Sequence, residues 1–296
     1  MLADVINALV LGSIYSLFAL GMSLVWGTTG VLNFAHGGIF LFAAFADYLL
    51  LNSVRLPLVP LLLIGIVVGA LLAVLIQFLA FGPIMRRNRR KEAAELQILI
   101  CGIGLAGILT GLVQIKTLGN PFGLSNSSYK ITTFSVAGQH VADIQLIVIV
   151  LGIALSAVVG LWVRRSKNGL ALRAMGVDTE TASLMGIDGT RLGLSAMAIA
   201  GALAGRAGTL LTFTFSTIDS DTGSTLLLKA FAAIILGGVG SVGGTLLGCY
   251  FLGICETVVL VQTNGAWVDA ISFGLLFILL LVRPQGFFGH REIRRT

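Results

Sequence analysis

Gly27-Thr28-Thr29-Gly30-Val31-Leu32-Asn33-Phe34-Ala35-His36-Gly37-Gly38 separates one long apolar run from the next, and Gly237-Gly238-Val239-Gly240-Ser241-Val242-Gly243-Gly244 does the same near the other end of the chain. Glycine at this density costs helix stability. Both stretches therefore read as places where helices stop. The flanking segments are too apolar for a soluble core. These two breaks thus decide between one long hydrophobic array and a bundle of separate membrane helices, and they favour the bundle.

Composition supports that reading. Of 296 residues, 56% are hydrophobic and 11% are charged, against about 25% charged in soluble domains. A spanning helix needs about 20 mainly apolar residues. Candidate spans run over 5–25, 38–53, 57–81, 96–116, 143–163, 192–215, 225–237, 245–262 and 267–283. The seventh is short, so the expected fold is an all-α polytopic bundle of about eight or nine spans with two glycine-rich breaks. Short gaps between runs make residues 1–296 a single transmembrane domain.

The net charge of +6 is not spread as a nucleic-acid surface would be. Fourteen of the nineteen Lys and Arg residues lie in Arg86 to Lys91, Arg164 to Arg191 and Arg283 to Arg295, beside apolar runs. By the positive-inside rule these stretches face the cytoplasm, which puts the C-terminus inside. The stretch 117–142, with only Lys130 as a cation, and Asp219-Ser220-Asp221 fall outside. Asp4 alone leaves the side of the N-terminus open. Cys101, Cys249 and Cys255 sit in apolar runs without metal-ligand spacing and read as small hydrophobes.

Two readings are open for each break. Irregular backbone at membrane depth is tolerated where protein buries it or where it lines a wet cavity. Paired breaks near the two ends of a chain are a feature of pseudo-repeat transporters, where they border the substrate route. On that reading Asn33, Phe34, His36, Gly37, Gly240 and Ser241 line a path. The other reading is a pair of tight turns at a membrane face. His36 beside glycines fits a hydrogen-bonded structural residue better than a proton relay, because no series of Asp or Glu accompanies it. Asn33 can bond exposed backbone at the break.

The cytoplasmic loop at about 165–191 holds a short capped helix. Asp178 suits the N-cap, Glu180 the first turn, and Gly186 a left-handed stop. Ala182, Leu184 and Met185 give it small and apolar contacts. It serves either as a plug for a groove on a partner or as a surface helix at the membrane interface.

Asp47, Arg206, Lys229 and Glu256 lie in or near spans. A centred charge costs about 2.5–3.5 kcal/mol on insertion scales. Arg206 is expected to face the bundle interior or a subunit interface, paired with Asp47 or Glu256. Asp47 and Lys229, nearer span ends, are expected to snorkel to water. Gly201 to Gly205 and Gly102 to Gly107 permit close helix approach. No Ser–His or Asp–Asp pair and no His-Glu-x-x-His motif points to an enzyme.

Taken together, Gly12-Ser13-Ile14-Tyr15-Ser16-Leu17, Leu20 to Gly27, Gly30 to Gly37, Gly169 to Ile187, Ser195 to Gly208 and Ala233 to Gly244 resemble the branched-chain amino acid ABC transporter permeases. The resemblance runs nearly end to end. It departs at Phe42 to Asp47, where the family tends toward a Gly-Ala-Tyr cluster, and at Arg206, where an apolar residue is commoner. It implies a multi-pass permease of the bacterial inner membrane, without catalytic residues or bound cofactor. The implied partners are a second homologous permease, two ATP-binding subunits that carry the nucleotide, and a periplasmic substrate-binding protein. The implied cargo is leucine, isoleucine and valine; others of the family carry urea, short amides or other amino acids. The 178–186 helix would be the coupling element. An ion-coupled secondary carrier is the competing class, and it calls for paired ionisable residues at mid-membrane.

Overall fold

The computed structural model describes residues 2–88, 91–136, 139–263 and 267–282. Its helices are α1 (Leu2–Thr29), α2 (Ala35–Leu51), α3 (Leu58–Ile76), α4 (Gly82–Arg87), α5 (Lys91–Thr117), α6 (Asp143–Arg165), α7 (Lys167–Val177), α8 (Thr179–Leu184), α9 (Gly189–Phe215), α10 (Thr222–Gly237), α11 (Val242–Thr263) and α12 (Val268–Val282). Among the described residues, six helical stretches are long and apolar enough to cross a membrane: 2–28, 58–87, 92–117, 143–165, 189–215 and 242–263. Helices α2 and α10 are apolar but shorter, at 17 and 16 residues. Each expected span thus coincides with a helix. The length criterion for crossing is met by six.

Local chemistry explains several boundaries. A π-helical turn, Gln77–Phe81, joins α3 to α4. Pro83 cannot donate to the carbonyl four residues back, and the wider turn absorbs that loss without ending the helix. Asp188 caps α9 by accepting from the Thr190 and Arg191 amides at 3.0 and 3.2 Å. Between α5 and α6 the chain forms a small antiparallel hairpin, β1 (Thr133–Val136) with β2 (Gln139–Ala142), in the register Thr133 to Ala142.

Helix α1 is the most enclosed of the long helices. Ile14, Leu17, Phe18 and Leu20 are almost wholly buried. Its serines form a polar seam: Ser13 with Tyr250 at 3.1 Å, Ser16 with Ser156 at 3.3 Å, and Ser23 with Thr245 at 3.1 Å. Hydroxyl pairs of this kind join helices where lipid offers no partners. Helix α9 packs along α3 through Gly65 and Gly69 on one side and Gly201 and Gly205 on the other; a Cβ on Gly201 would overlap the Gly69 carbonyl. The Gly201 to Gly205 stretch therefore does bring two backbones together. In Gly102 to Gly107, Gly102 meets the backbone at Phe34 and Ala35 and Ala106 lies against Gly38, while Gly104 and Gly107 face open space.

The outer faces are apolar in stripes. Leu63, Val67, Leu71 and Leu75 recur every four residues on α3 and are more than half exposed. Val150, Ile153, Val158 and Leu161 on α6, at spacings of three, five and three residues, are also more than half exposed. A lipid-facing surface has this character.

Candidate functional site

The two breaks meet. Helix α1 ends at Thr29 and α2 starts at Ala35; α10 ends at Gly237 and α11 starts at Val242. A Cβ on Gly27 would lie 3.4 Å from the Gly240 Cα. Gly176 of α7 packs on the Gly27 carbonyl so closely that a Cβ there would overlap it. Arg164, at the end of α6, reaches toward Gly243. Both breaks and the 165–191 loop therefore share the end of the bundle that carries Arg164 and Arg165.

The short helices α2 and α10 start against one another. Gly37 in the first turn of α2 lies on the Gly223 carbonyl in the first turn of α10, and Gly223 lies on the Gly37 carbonyl. The residues proposed for a path are packed here. Asn33 is buried; its Oδ1 accepts from the Ala35 amide at 3.0 Å and its Nδ2 donates to the Met197 Sδ at 3.6 Å. That places Asn33 as a brace for the start of α2. His36 is fully buried, with Nε2 3.1 Å from the Phe18 carbonyl and its ring edge-on to Phe18 at 4.6 Å. The carbonyl can only accept, so Nε2 carries the proton. Phe34 is half-buried. Gly240 takes a positive φ of 78°, and Ser241 accepts from the Gly244 amide at 3.1 Å to start α11. The structure thus brings Gly27 beside Gly240 but keeps Asn33 and His36 inside the packed core. A narrow cleft at the first break touches Asn33, with Val25, Gln77, Phe81 and Ile98 among its walls.

The loop at the basic end contains two helices, α7 and α8, where the sequence suggested one. Ser166 caps α7 by accepting from the Gly169 amide at 2.8 Å. Asp178 caps α8: its Oδ1 accepts from the Thr181 amide at 3.1 Å and its Oδ2 from the Thr181 hydroxyl at 2.6 Å. Gly186 stops the segment at φ 82°, the left-handed region glycine enters without strain. Ala182 is buried at 5%, while Leu184 and Met185 are 83% and 80% exposed. One side of the segment rests on the protein and the other presents bare aliphatic surface. Glu180 lies on α8, and its side chain is outside the described residues.

The intramembrane charges differ from expectation. Neither Asp47 nor Lys229 snorkels. Lys229 of α10 is 9% exposed; its Nζ lies 3.2 Å from Glu256 Oε1 on α11 and 3.0 Å from Asp269 Oδ1 on α12. Tyr15 of α1 donates to Glu256 Oε2 at 2.5 Å. Four helices are tied by one network, to which Tyr15 and Asp269 are additions the sequence did not suggest. Asp47 is fully buried, and its Oδ2 accepts the Thr209 hydroxyl of α9 at 2.6 Å. The expected pairing of Arg206 with Asp47 or Glu256 is therefore not made: Glu256 is held by Lys229 and Tyr15, and Asp47 by Thr209. Arg206 itself is half-buried, and its Nε is enclosed without a hydrogen-bond partner among the described residues.

These features define a polytopic helical membrane protein with a braced, two-helix loop at one end. A family model described as branched-chain amino acid transport system / permease component matches residues 5–280, and the chain belongs to that family. The chain is 30% identical to the high-affinity branched-chain amino acid transport system permease protein BraD of Pseudomonas aeruginosa, over all of this chain and 98% of that protein. It is 28% identical to the permease protein LivH of Escherichia coli K12, over all of this chain and 97% of LivH. A probable branched-chain amino acid transport permease protein LivH of Methanocaldococcus jannaschii is 30% identical over 96% of this chain and 91% of its own length.

Proposed function

We propose that this chain is one permease subunit of an ATP-driven importer that moves leucine, isoleucine and valine across the bacterial inner membrane. Its partners on this reading are a second, homologous permease, two ATP-binding subunits and a periplasmic binding protein. The C-terminus, in residues 283–296 outside the described part, faces the cytoplasm. All nine apolar helices from α1 to α12, excluding α4, α7 and α8, cross or enter the bilayer. The chain itself performs no chemistry; nucleotide is handled by the ATP-binding subunits.

The observation that carries the reading is the placement of the α7–α8 loop, in a chain that matches the permease family almost end to end. Leu184 and Met185 point away from the protein, as anchors for a groove on a motor subunit. Behind them, α7 touches the first break at Gly27, and Gly27 touches the second at Gly240. A push on α8 has a short, packed route to both places where the helices are interrupted. ATP-driven closure of the motor would move this loop and with it the inner ends of α1, α10 and α11. The path opens and closes as those ends separate and rejoin.

The experiment is co-purification with the ATP-binding subunits, followed by uptake in proteoliposomes with leucine, valine, urea and a short amide. Leucine and valine uptake that requires ATP is the expected result; urea or amide uptake in their place would reassign the cargo. The buried Lys229–Glu256 pair is the one observation that favours a second reading, an ion-coupled carrier. Uptake that survives loss of the ATP-binding subunits and collapses with the proton gradient would establish that reading instead.

A further inference from the structure

We propose that Arg206 receives the carboxylate of the transported amino acid as it passes along α9. The inference rests on the amino-acid reading above and assigns it a residue. Ser195, Ile199, Ala202 and Arg206 recur on one face of α9 at helical spacing, and all four are half-buried. On the C-terminal side of Arg206, Ala207, Thr209 and Leu210 are fully buried, and Leu203 on the other side nearly so. Arg206 is therefore where the packed part of α9 gives way to a partly open strip.

A guanidinium stays charged, and a charge held in a low-dielectric setting is costly unless something matches it. No described acid does so. Asp47 is fully enclosed, and Glu256 is engaged by Lys229 and Tyr15. With none among the described residues, the anion we assign to it is one that reaches the strip from outside. Arg206 is 17 residues from the start of α9 and nine from its end, so at 1.5 Å per residue it lies about 25 Å and about 14 Å from the two ends. That depth is beyond a lipid phosphate and suits a solute in transit. A carboxylate fits the planar fork of donors. Ala202 and Ile199 follow one and two turns along the same face and offer apolar contact to a branched aliphatic side chain. Ser195 lies one turn further on.

The test uses the complete importer in proteoliposomes, with leucine uptake and ATP hydrolysis measured together. R206Q keeps length and hydrogen bonding without charge; R206K keeps charge without the fork. We expect R206Q to lower leucine uptake about tenfold, the loss of one charge-assisted contact. R206K should recover part of it. In both, the purified complex and the ATPase stimulation by loaded binding protein should stay at the wild-type level. Unchanged uptake in R206Q beside an active wild type overturns the proposal. So does release of the second permease from the R206Q complex, which would make the counter-charge an acid of that subunit. A wild-type importer that moves none of the three branched amino acids would instead overturn the substrate reading.

Discussion

Helices α2 and α10 are alike in length, start against each other at Gly37 and Gly223, and each carries one residue that is charged when ionised at neutral pH, Asp47 and Lys229, deep in an apolar stretch. They settle that charge differently. Lys229 on α10 reaches two carboxylates, on α11 and α12, and the Glu256 end of the network is extended to α1 by Tyr15. Asp47 on α2 has one hydroxyl, from Thr209, and its Oδ1 is enclosed without a partner among the described residues. The region around α10 is therefore fastened by charge. The region around α2 and α9 is fastened by close backbone packing through small residues, with Gly208 of α9 set against the Phe40 carbonyl. Apolar contact alone gains little when the solvent is hydrocarbon, so a membrane bundle relies on these two devices.

The contrast is broken or sharpened by substitution. Lys229→Met should have the largest effect, because it leaves Glu256 buried without its counter-ion; loss of about 3–5 kcal/mol is expected, read as a lower thermal midpoint of the purified protein. Glu256→Gln in the same background should restore much of that stability, since the uncompensated charge is gone. Gly201→Leu attacks the other device. It forces a side chain against the Gly69 carbonyl and should cost about 1–3 kcal/mol, the range for overpacking. Asp47→Asn should cost the least, under about 1 kcal/mol, since the amide oxygen still accepts from Thr209 and no ion pair is lost. A cost for Asp47→Asn equal to that of Lys229→Met would erase the distinction.

Much of this architecture could be read from the sequence, and the limits of that reading have physical causes. Each apolar run became a helix because lipid-compatible stretches have no alternative way to satisfy their backbone. The α8 cap and stop, Asp178 and Gly186, were legible because capping is local chemistry within a few residues. The α7 helix was not singled out: its own signal is weak, and it is held by α6 and α1. The snorkelling expected of Asp47 and Lys229 failed because depth along one helix says nothing about what stands beside it. Lys229 and Glu256 are on adjacent antiparallel helices joined at residues 238–241, so their opposite signs come together only once that hairpin closes. Opposite charges on both arms of a tight hairpin were the available clue. For Asn33 and His36 the sequence already offered structural roles beside the path reading, and both make hydrogen bonds of that kind at the start of α2.

The account turns on α8 as the point where a separate motor acts. The most direct measurement is ATP-driven leucine uptake by the reconstituted importer carrying Leu184→Asp and Met185→Asp. Both side chains are exposed, so the permease should fold and keep its thermal midpoint. The expected result is loss of binding to the ATP-binding subunits and of uptake together. Full association and full uptake in this variant would contradict the coupling role assigned to the loop.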